Sequence, residues 1–264
     1  MKANYRKNNS ITKDFEEQGK LLRKEKETML NYLKENNLLI SVMDDIYNQY
    51  EKLGYKVYRQ VLNSACYGAS TKRERVIIVA IRNDIDVEFK FPIATYGDDY
   101  FKSKYPYLYL NDDYKKIRTV NDALNTINYD DITDIDNIPM NHSKKTVERF
   151  KMIPAGDSIA NHIDELPEDL KISKFYSRGN TMRLAGDLPS PTLVPGHSNF
   201  PVHPTEDRSI TVREAACITG FPSNYKFFGS HTKRCEEVGN AVPPPLSTAV
   251  ASSVKDVLDI FYKK

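Results

Sequence analysis

Six consecutive apolar residues, Val76-Ile77-Ile78-Val79-Ala80-Ile81, constrain this chain more than any other stretch. They are mostly β-branched and read as a strand buried on both faces, as in an α/β sheet. Such a strand needs neighbours on each side, and the sequence offers few other candidate parallel strands. The approach to it is Tyr67-Gly68-Ala69-Ser70-Thr71-Lys72-Arg73-Glu74-Arg75. In an extended backbone Arg73 and Arg75 point the same way, because the side-chain period is two. Two guanidiniums at the edge of a buried sheet can clamp a phosphate or a base edge. They can equally flank the strand as solvated charges, and the residues alone leave both readings open.

Upstream the sequence predicts helices. Leu21, Leu22, Met29, Leu30 and Leu33 form a narrow apolar stripe among many Lys and Glu residues. Ser41 with Asp44 marks a second helix start, Val42, Ile46, Tyr50 and Leu53 its apolar face, and Gly54 its stop. Tyr55 to Leu62 reads as a strand with Val57 and Val61 on one side. No apolar run is long enough to span a membrane, and the polar start Met1–Lys7 leads into no signal-peptide core. Cys66, Cys217 and Cys235 are widely spaced and show no metal-ligand pattern. No metal is therefore expected, and a reducing cytoplasm is the expected location. A net charge of +2 does not announce a nucleic-acid partner, so any basic surface must be local.

Residues 84–182 are the least regular part, with Tyr96, Tyr100, Tyr105, Tyr107, Tyr109 and Tyr114 crowded together and an acidic run from Asp130 to Asp136 read as a solvated loop. Beyond it Lys171, Lys174, Arg178 and Arg183 interleave with Phe175 and Tyr176, a composition that suits a nucleic-acid surface. Thr211-Val212-Arg213-Glu214 is a capping box, with Ile210 and Ala215 as its staple and Gly220 as the helix stop. Gly239-Asn240 reads as a tight turn at positive φ, followed by prolines suited to a helix start. Leu246, Ala249, Val250, Val254, Val257 and Leu258 mark the buried face of that last helix, with the small Ser247, Ala251, Ser252 and Ser253 beside it. Backbone N–H groups at its start could seat a small polar ligand, or the turn could be an ordinary helix entry.

In order, Gly68…Arg73-Glu74-Arg75, Arg183-Leu184…Pro189-Ser190-Pro191-Thr192, His203-Pro204…Arg208…Thr211-Val212-Arg213-Glu214…Gly220-Phe221-Pro222 and Gly239-Asn240-Ala241-Val242-Pro243-Pro244 closely resemble the C-terminal half of DNA cytosine-5 methyltransferases. His142-Ser143 and Arg149…Ile153-Pro154 add to the match. The resemblance covers about residues 54–257, and four modest motifs in the right order make it specific. It implies an α/β fold: the C-terminal part of a Rossmann-like methyltransferase sheet, a small, mixed, loop-rich target recognition domain, and a returning C-terminal helix. The implied segments are a helical 1–53, last catalytic strands in 54–83, target recognition in 84–182, a small domain in 183–236 and the returning helix in 237–264.

The resemblance further implies that Arg73 and Arg75 lie beside a flipped cytosine and its phosphate. Asn240, Ala241 and Val242 would line S-adenosylmethionine, and Lys171, Lys174, Arg178, Arg183 and Thr192 would meet double-stranded DNA. Thr71 stands where the family usually has Gln. Three of the family's motifs have no counterpart here: there is no Gly-x-Gly cofactor loop, no cysteine follows a proline, and Glu35-Asn36 sits in a helical context rather than a Glu-Asn-Val strand end. The expected function is thus the DNA-recognition and cofactor-completing portion of a cytosine-5 methyltransferase, with a second polypeptide supplying the catalytic thiolate. A catalytically inactive DNA-binding remnant or regulator is the alternative expectation.

Overall fold

The computed structural model describes residues 9–36, 42–172, 181–196 and 200–263. It divides into two compact units, Met1–Val57 with Ala80–Asp84, and Tyr58–Val79 with Ile85–Lys264.

The first unit holds α1 (Asn9–Glu35) and α2 (Val42–Lys52). On α1 the stripe residues Leu21, Leu22, Met29 and Leu30 are exposed, as expected of a solvated helix. Glu35 is the last residue of α1, and the Asn36 amide donates to Tyr32 O at 2.9 Å, so Glu35-Asn36 is a helix end. Asp44 and Asp45 occupy the first turn of α2, where negative charge offsets the orphan N–H groups; Ser41 lies outside the described residues. Gly54, at φ 82°, turns the chain into β1 (Tyr55–Asn63).

β2 (Thr71–Lys72) and β3 (Glu74–Arg82) follow, and β1 pairs with β3. Ser64 N donates to Arg73 O at 3.0 Å at one end and Asn83 N to Gly54 O at 2.9 Å at the other, which sets these two strands antiparallel. Contrary to expectation, β3 is not covered on both faces. Val76 is 56% and Ile78 36% exposed, while Ile77 packs on the core. The reason is plain: among the described residues only β1 pairs with it, and only one face has a layer upon it. In β1 the covered side near the C-terminal end is that of Leu62, not of Val61.

From residue 84 to 182 the described elements are short. They are β4 (Tyr96–Gly97), α3 (Asp99–Lys104), β5 (Lys115–Lys116), α4 (Val120–Leu124) and α5 (Lys144–Lys151), joined by loops and single 3-10 turns. β4 and β5 pair in parallel. Then come β6 (Ser190–Pro191), α6 (Val212–Thr219), α7 (His231–Asn240) and α8 (Pro244–Tyr262). Every residue of α6 is buried, which is why its cap matters: Thr211 Oγ1 accepts from Glu214 N, and the Glu214 carboxylate accepts from Thr211 N at 2.8 Å. Gly220 closes α6 at φ 97°. Around α6 pack Val120, Leu124, Phe200, Phe227 and Val238. A second core joins Leu62, Ala65, Cys66, Phe101, Tyr105 and Leu108 to Leu246 of α8.

Two local expectations need correcting, and one open alternative is resolved. Gly239-Asn240 is not a positive-φ turn but the last turn of α7. Gly239 is needed for room instead, since a Cβ there would sit 2.4 Å from Pro195 Cα. The start of α8 is Pro243-Pro244-Pro245, three residues without an N–H, so it offers no cluster of donors to a ligand. Its predicted face is the inner one, with Leu246 and Val257 buried. The acidic run is not solvated throughout. Asp136 is only 2% exposed and accepts from Arg234 Nη1 at 2.5 Å and Arg213 Nη2 at 3.3 Å. Asp134 takes the other side of Arg213 at 2.7 Å. Burial of one carboxylate is compensated by two guanidiniums from α6 and α7.

Candidate functional site

Four stretches far apart in sequence meet in the second unit. β2 pairs in parallel with β6, Thr71 opposite Ser190 and Lys72 opposite Pro191. Ser190 N donates to Ser70 O at 2.8 Å, and Thr71 Oγ1 to Pro191 O at 3.0 Å. Thr192 Oγ1 donates to Lys72 O at 2.9 Å, across 120 residues of chain. Ser70 N donates to Ile218 O at 3.0 Å, which ties the same loop to α6. A Cβ on Gly220 would lie 2.6 Å from Pro245 Cδ, so the end of α6 and the start of α8 touch. Gly239 and Pro195 close the circle. Each motif is thereby a wall for the next, which explains why glycine stands at both points of closest approach.

The arginine segment alternates as its extended backbone requires: Thr71 and Arg73 turn inward, Lys72 and Glu74 outward. Arg73 is 4% exposed, its Nη1 donates to Leu193 O at 3.3 Å, and its Nε has no acceptor. Burial, then the neighbouring charge of Arg75, pushes its pKa down to about 10. A buried donor left unmatched costs about 1–3 kcal/mol, so this guanidinium is set to gain from an anionic or carbonyl acceptor. Arg75 is more open, and its Nη1 donates to Glu74 O at 2.6 Å. Arg73 itself stands between β2 and β3, its N–H donating to Thr71 O at 3.1 Å, and Arg75 is the second residue of β3.

The remaining predicted residues are distributed unevenly. Thr192 stands beside the arginine segment. Arg183 does not present itself to a ligand: it is 6% exposed, and all its donors are used internally. Nε reaches Ile153 O at 2.7 Å, Nη1 reaches His203 O and Glu206 O, and Nη2 reaches Phe150 O and Asp207 Oδ1. A planar fork with five donors suits gathering several backbone carbonyls, and that is its work here. Lys171 is exposed and paired with Glu168; Lys174 and Arg178 lie outside the described residues. Asn240 and Val242 are exposed and Ala241 half-buried at the α7–α8 junction.

Two features escaped sequence reasoning. One is the Arg213–Asp136–Arg234 cluster, whose partners are too distant in sequence to betray each other. The other is a cleft of about 370 Å³ on the outward side of the arginine segment, lined among others by Lys72, Glu74, Tyr100, Lys104 and Thr192. Its only signal was the crowding of tyrosines and lysines between residues 96 and 116. The three thiols are all buried. Burial pushes Cys66 and Cys235 up to about 11 and raises Cys217, so each stays protonated near neutral pH.

Comparison with known proteins gives the family. The family model for C-5 cytosine-specific DNA methylase matches residues 28–256, and the chain belongs to that family. It is 33% identical over 236 residues to the Type II methyltransferase M.Eco47II of Escherichia coli, covering 84% of this chain and 51% of that protein. It is 30% identical over 217 residues to M.Sau96I of Staphylococcus aureus, covering 80% and 45%. Over a shorter stretch of 107 residues it is 54% identical to M.Bpa9945I of Bacillus paralicheniformis, covering 36% and 23%. The chain thus spans about half the length of the longer-matching relatives. Among solved structures, a prophage-encoded DNA modification methyltransferase of E. coli superposes with a TM-score of 0.58 at 18% identity, covering 82% of this chain and 64% of that one. The mixed α/β architecture is accordingly part of a Rossmann-like methyltransferase fold.

Proposed function

We propose that this chain is the DNA-recognising and cofactor-completing portion of a cytosine-5 methyltransferase of restriction-modification type, and that a second polypeptide supplies the nucleophile. The observation that carries the reading is a contrast within one unit. The arginine segment is assembled and electrostatically incomplete, while every thiol is buried and held protonated. Attack on C6 of cytosine needs a thiolate. A methyl donor and a nucleophile must then be brought to the arginines from outside these residues.

Within that reading, Arg73 and Arg75 face the flipped cytosine and its phosphate, and residues 84–182 read the target sequence. Lys171, with Lys174 and Arg178, adds phosphate contacts, and Thr192 orders the strand beside them. S-adenosylmethionine would supply an electrophilic methyl group. The exposed amide of Asn240 next to the apolar Val242 fits one side of such a molecule, polar at its amino-acid end and apolar elsewhere. The prolines that start α8 restrict this contribution to side chains and to residues before the helix. The exposed Val76 and Ile78 on β3, with Val61 on β1, supply an apolar face for the second polypeptide. The protein would work in the cytoplasm; among the described residues no helix is long and apolar enough to cross a membrane.

The test is co-expression with a polypeptide carrying the Gly-rich, Pro-Cys and Glu-Asn-Val motifs. The two should co-elute on size exclusion, and together, but not singly, transfer methyl groups from S-adenosylmethionine to cytosine in DNA. Methylation by the pure chain would mean that one of its own thiols serves. A compact chain that ignores the partner would leave the inactive DNA-binding module in its place.

A further inference from the structure

The outward side of the arginine segment carries a second site. We propose that the cleft between β2 and α3 holds one nucleotide of the bound DNA, its phosphate on Lys72 and its base against Tyr100. The inference rests on the DNA-binding reading above and adds a subsite on the face opposite Arg73 and Arg75.

Strand alternation makes the two faces distinct: the residues that line this cleft, Lys72 and Glu74, are those turned away from the arginines. Charge inside the cleft is already balanced at one point. Lys104 Nζ donates to Glu74 Oε1 at 2.8 Å, and the Tyr105 hydroxyl donates to the same carboxylate. Those bonds favour the ionised form of Glu74 and lower its pKa from the ordinary value, the one from Lys104 first. That pairing leaves Lys72 as the surplus cation, for no acceptor among the described residues takes its ammonium. Its backbone is fixed by the bond from Thr192 Oγ1 to Lys72 O. One surplus positive charge matches one phosphodiester.

The aromatic half of the recognition is Tyr100. It is 58% exposed and stands edge-on to Phe101 with ring centres 5.3 Å apart. A ring held so but open to solvent is a stacking platform for a base. The back of the cleft is rigid as well, since the Asn63 amide donates to Tyr105 and its carbonyl accepts from Ala65 N. At about 370 Å³ the space lies within the range of small-ligand sites, roughly 300–1,000 Å³. A nucleotide neighbouring the target base is the occupant whose charge, flat face and size agree with all three features.

The test is fluorescence anisotropy of the full chain with a labelled DNA duplex over a series of salt concentrations. Lys72→Ala should reduce the log–log salt slope by about one, and Lys72→Arg should restore it. Tyr100→Ala should weaken binding about tenfold with the slope unchanged. Lys255→Ala on α8 should leave both affinity and slope as they were, which separates the cleft from a general loss of charge. If both cleft variants bind like the unaltered chain, the subsite is overturned. Should free deoxynucleoside monophosphates bind in a Lys72-dependent way while DNA binding ignores both variants, the cleft serves a free nucleotide and the proposal is also overturned. Absence of DNA binding by the unaltered chain at low salt would instead overturn the DNA-binding reading itself.

Discussion

Single residues here act mainly by satisfying or straining buried polar groups. Asp136 compensates Arg234 as well as Arg213, so Asp136→Ala would leave Arg234 without its carboxylate in the interior, while Arg213 keeps Asp134. The expected loss is about 3–5 kcal/mol, read as a lower urea midpoint. His203 argues for a pH effect. Its Nδ1 accepts from Thr205 N and Glu206 N, at 3.3 and 3.2 Å, and burial lowers its pKa from the ordinary value. Burial lowers that of His142 as well. Above about pH 6.5 both rings are neutral in the folded and unfolded chain, so their contribution is intact. As pH falls below that, the unfolded chain takes up protons that the folded one refuses, and stability declines. His162 works in the other sense, raised by Asp157 and then Glu165, but it is a surface group whose pairing is screened. Thermal melting should therefore drop between neutral and mildly acid pH, and His203→Gln should flatten the drop. A melting temperature indifferent to pH across that window would contradict the assignment.

At the level of elements, the tightest constraint is the junction of α7 and α8. Helix propensity alone would favour Gly239→Ala by about 1 kcal/mol. The new methyl would meet Pro195 Cα at 2.4 Å and Pro195 N at 2.6 Å, backbone atoms that cannot rotate away. Overpacking of this kind costs about 1–3 kcal/mol, so the variant should be destabilised in spite of its better propensity; a raised melting temperature would refute the packing. Elements also show what a sequence can disclose. The capping box of α6 was legible because both partners lie within three residues, and the inner face of α8 because its period is local. The role of Asp136 was not legible, since its partners are 77 and 98 residues away. Arg183 misled for a related reason: composition marks a cation, but not the five carbonyl and carboxylate acceptors that the fold gathers round it. The composition of Val76–Ile81 predicts a doubly buried strand because it reports the environment it is suited to, while β3 in this chain has an open face.

For the molecule as a whole, the convergence of four stretches makes the second unit a scaffold closed by contacts between distant parts of the chain. The two-residue ladder of β2 and β6 is short, yet it joins Thr71 to Ser190 and Lys72 to Pro191 across most of the unit, and α6 and α8 meet over a glycine. The exposed apolar residues of β3 remain the part of this surface that soluble proteins most often cover. The burial of Cys66, Cys217 and Cys235 has a practical consequence in that setting. Thiols that are both shielded and protonated react slowly with alkylating reagents, so the folded chain is nearly silent toward iodoacetamide. Mixed with a polypeptide bearing an activated cysteine, it would contribute almost no background, and the alkyl groups incorporated would count the nucleophiles of the partner alone.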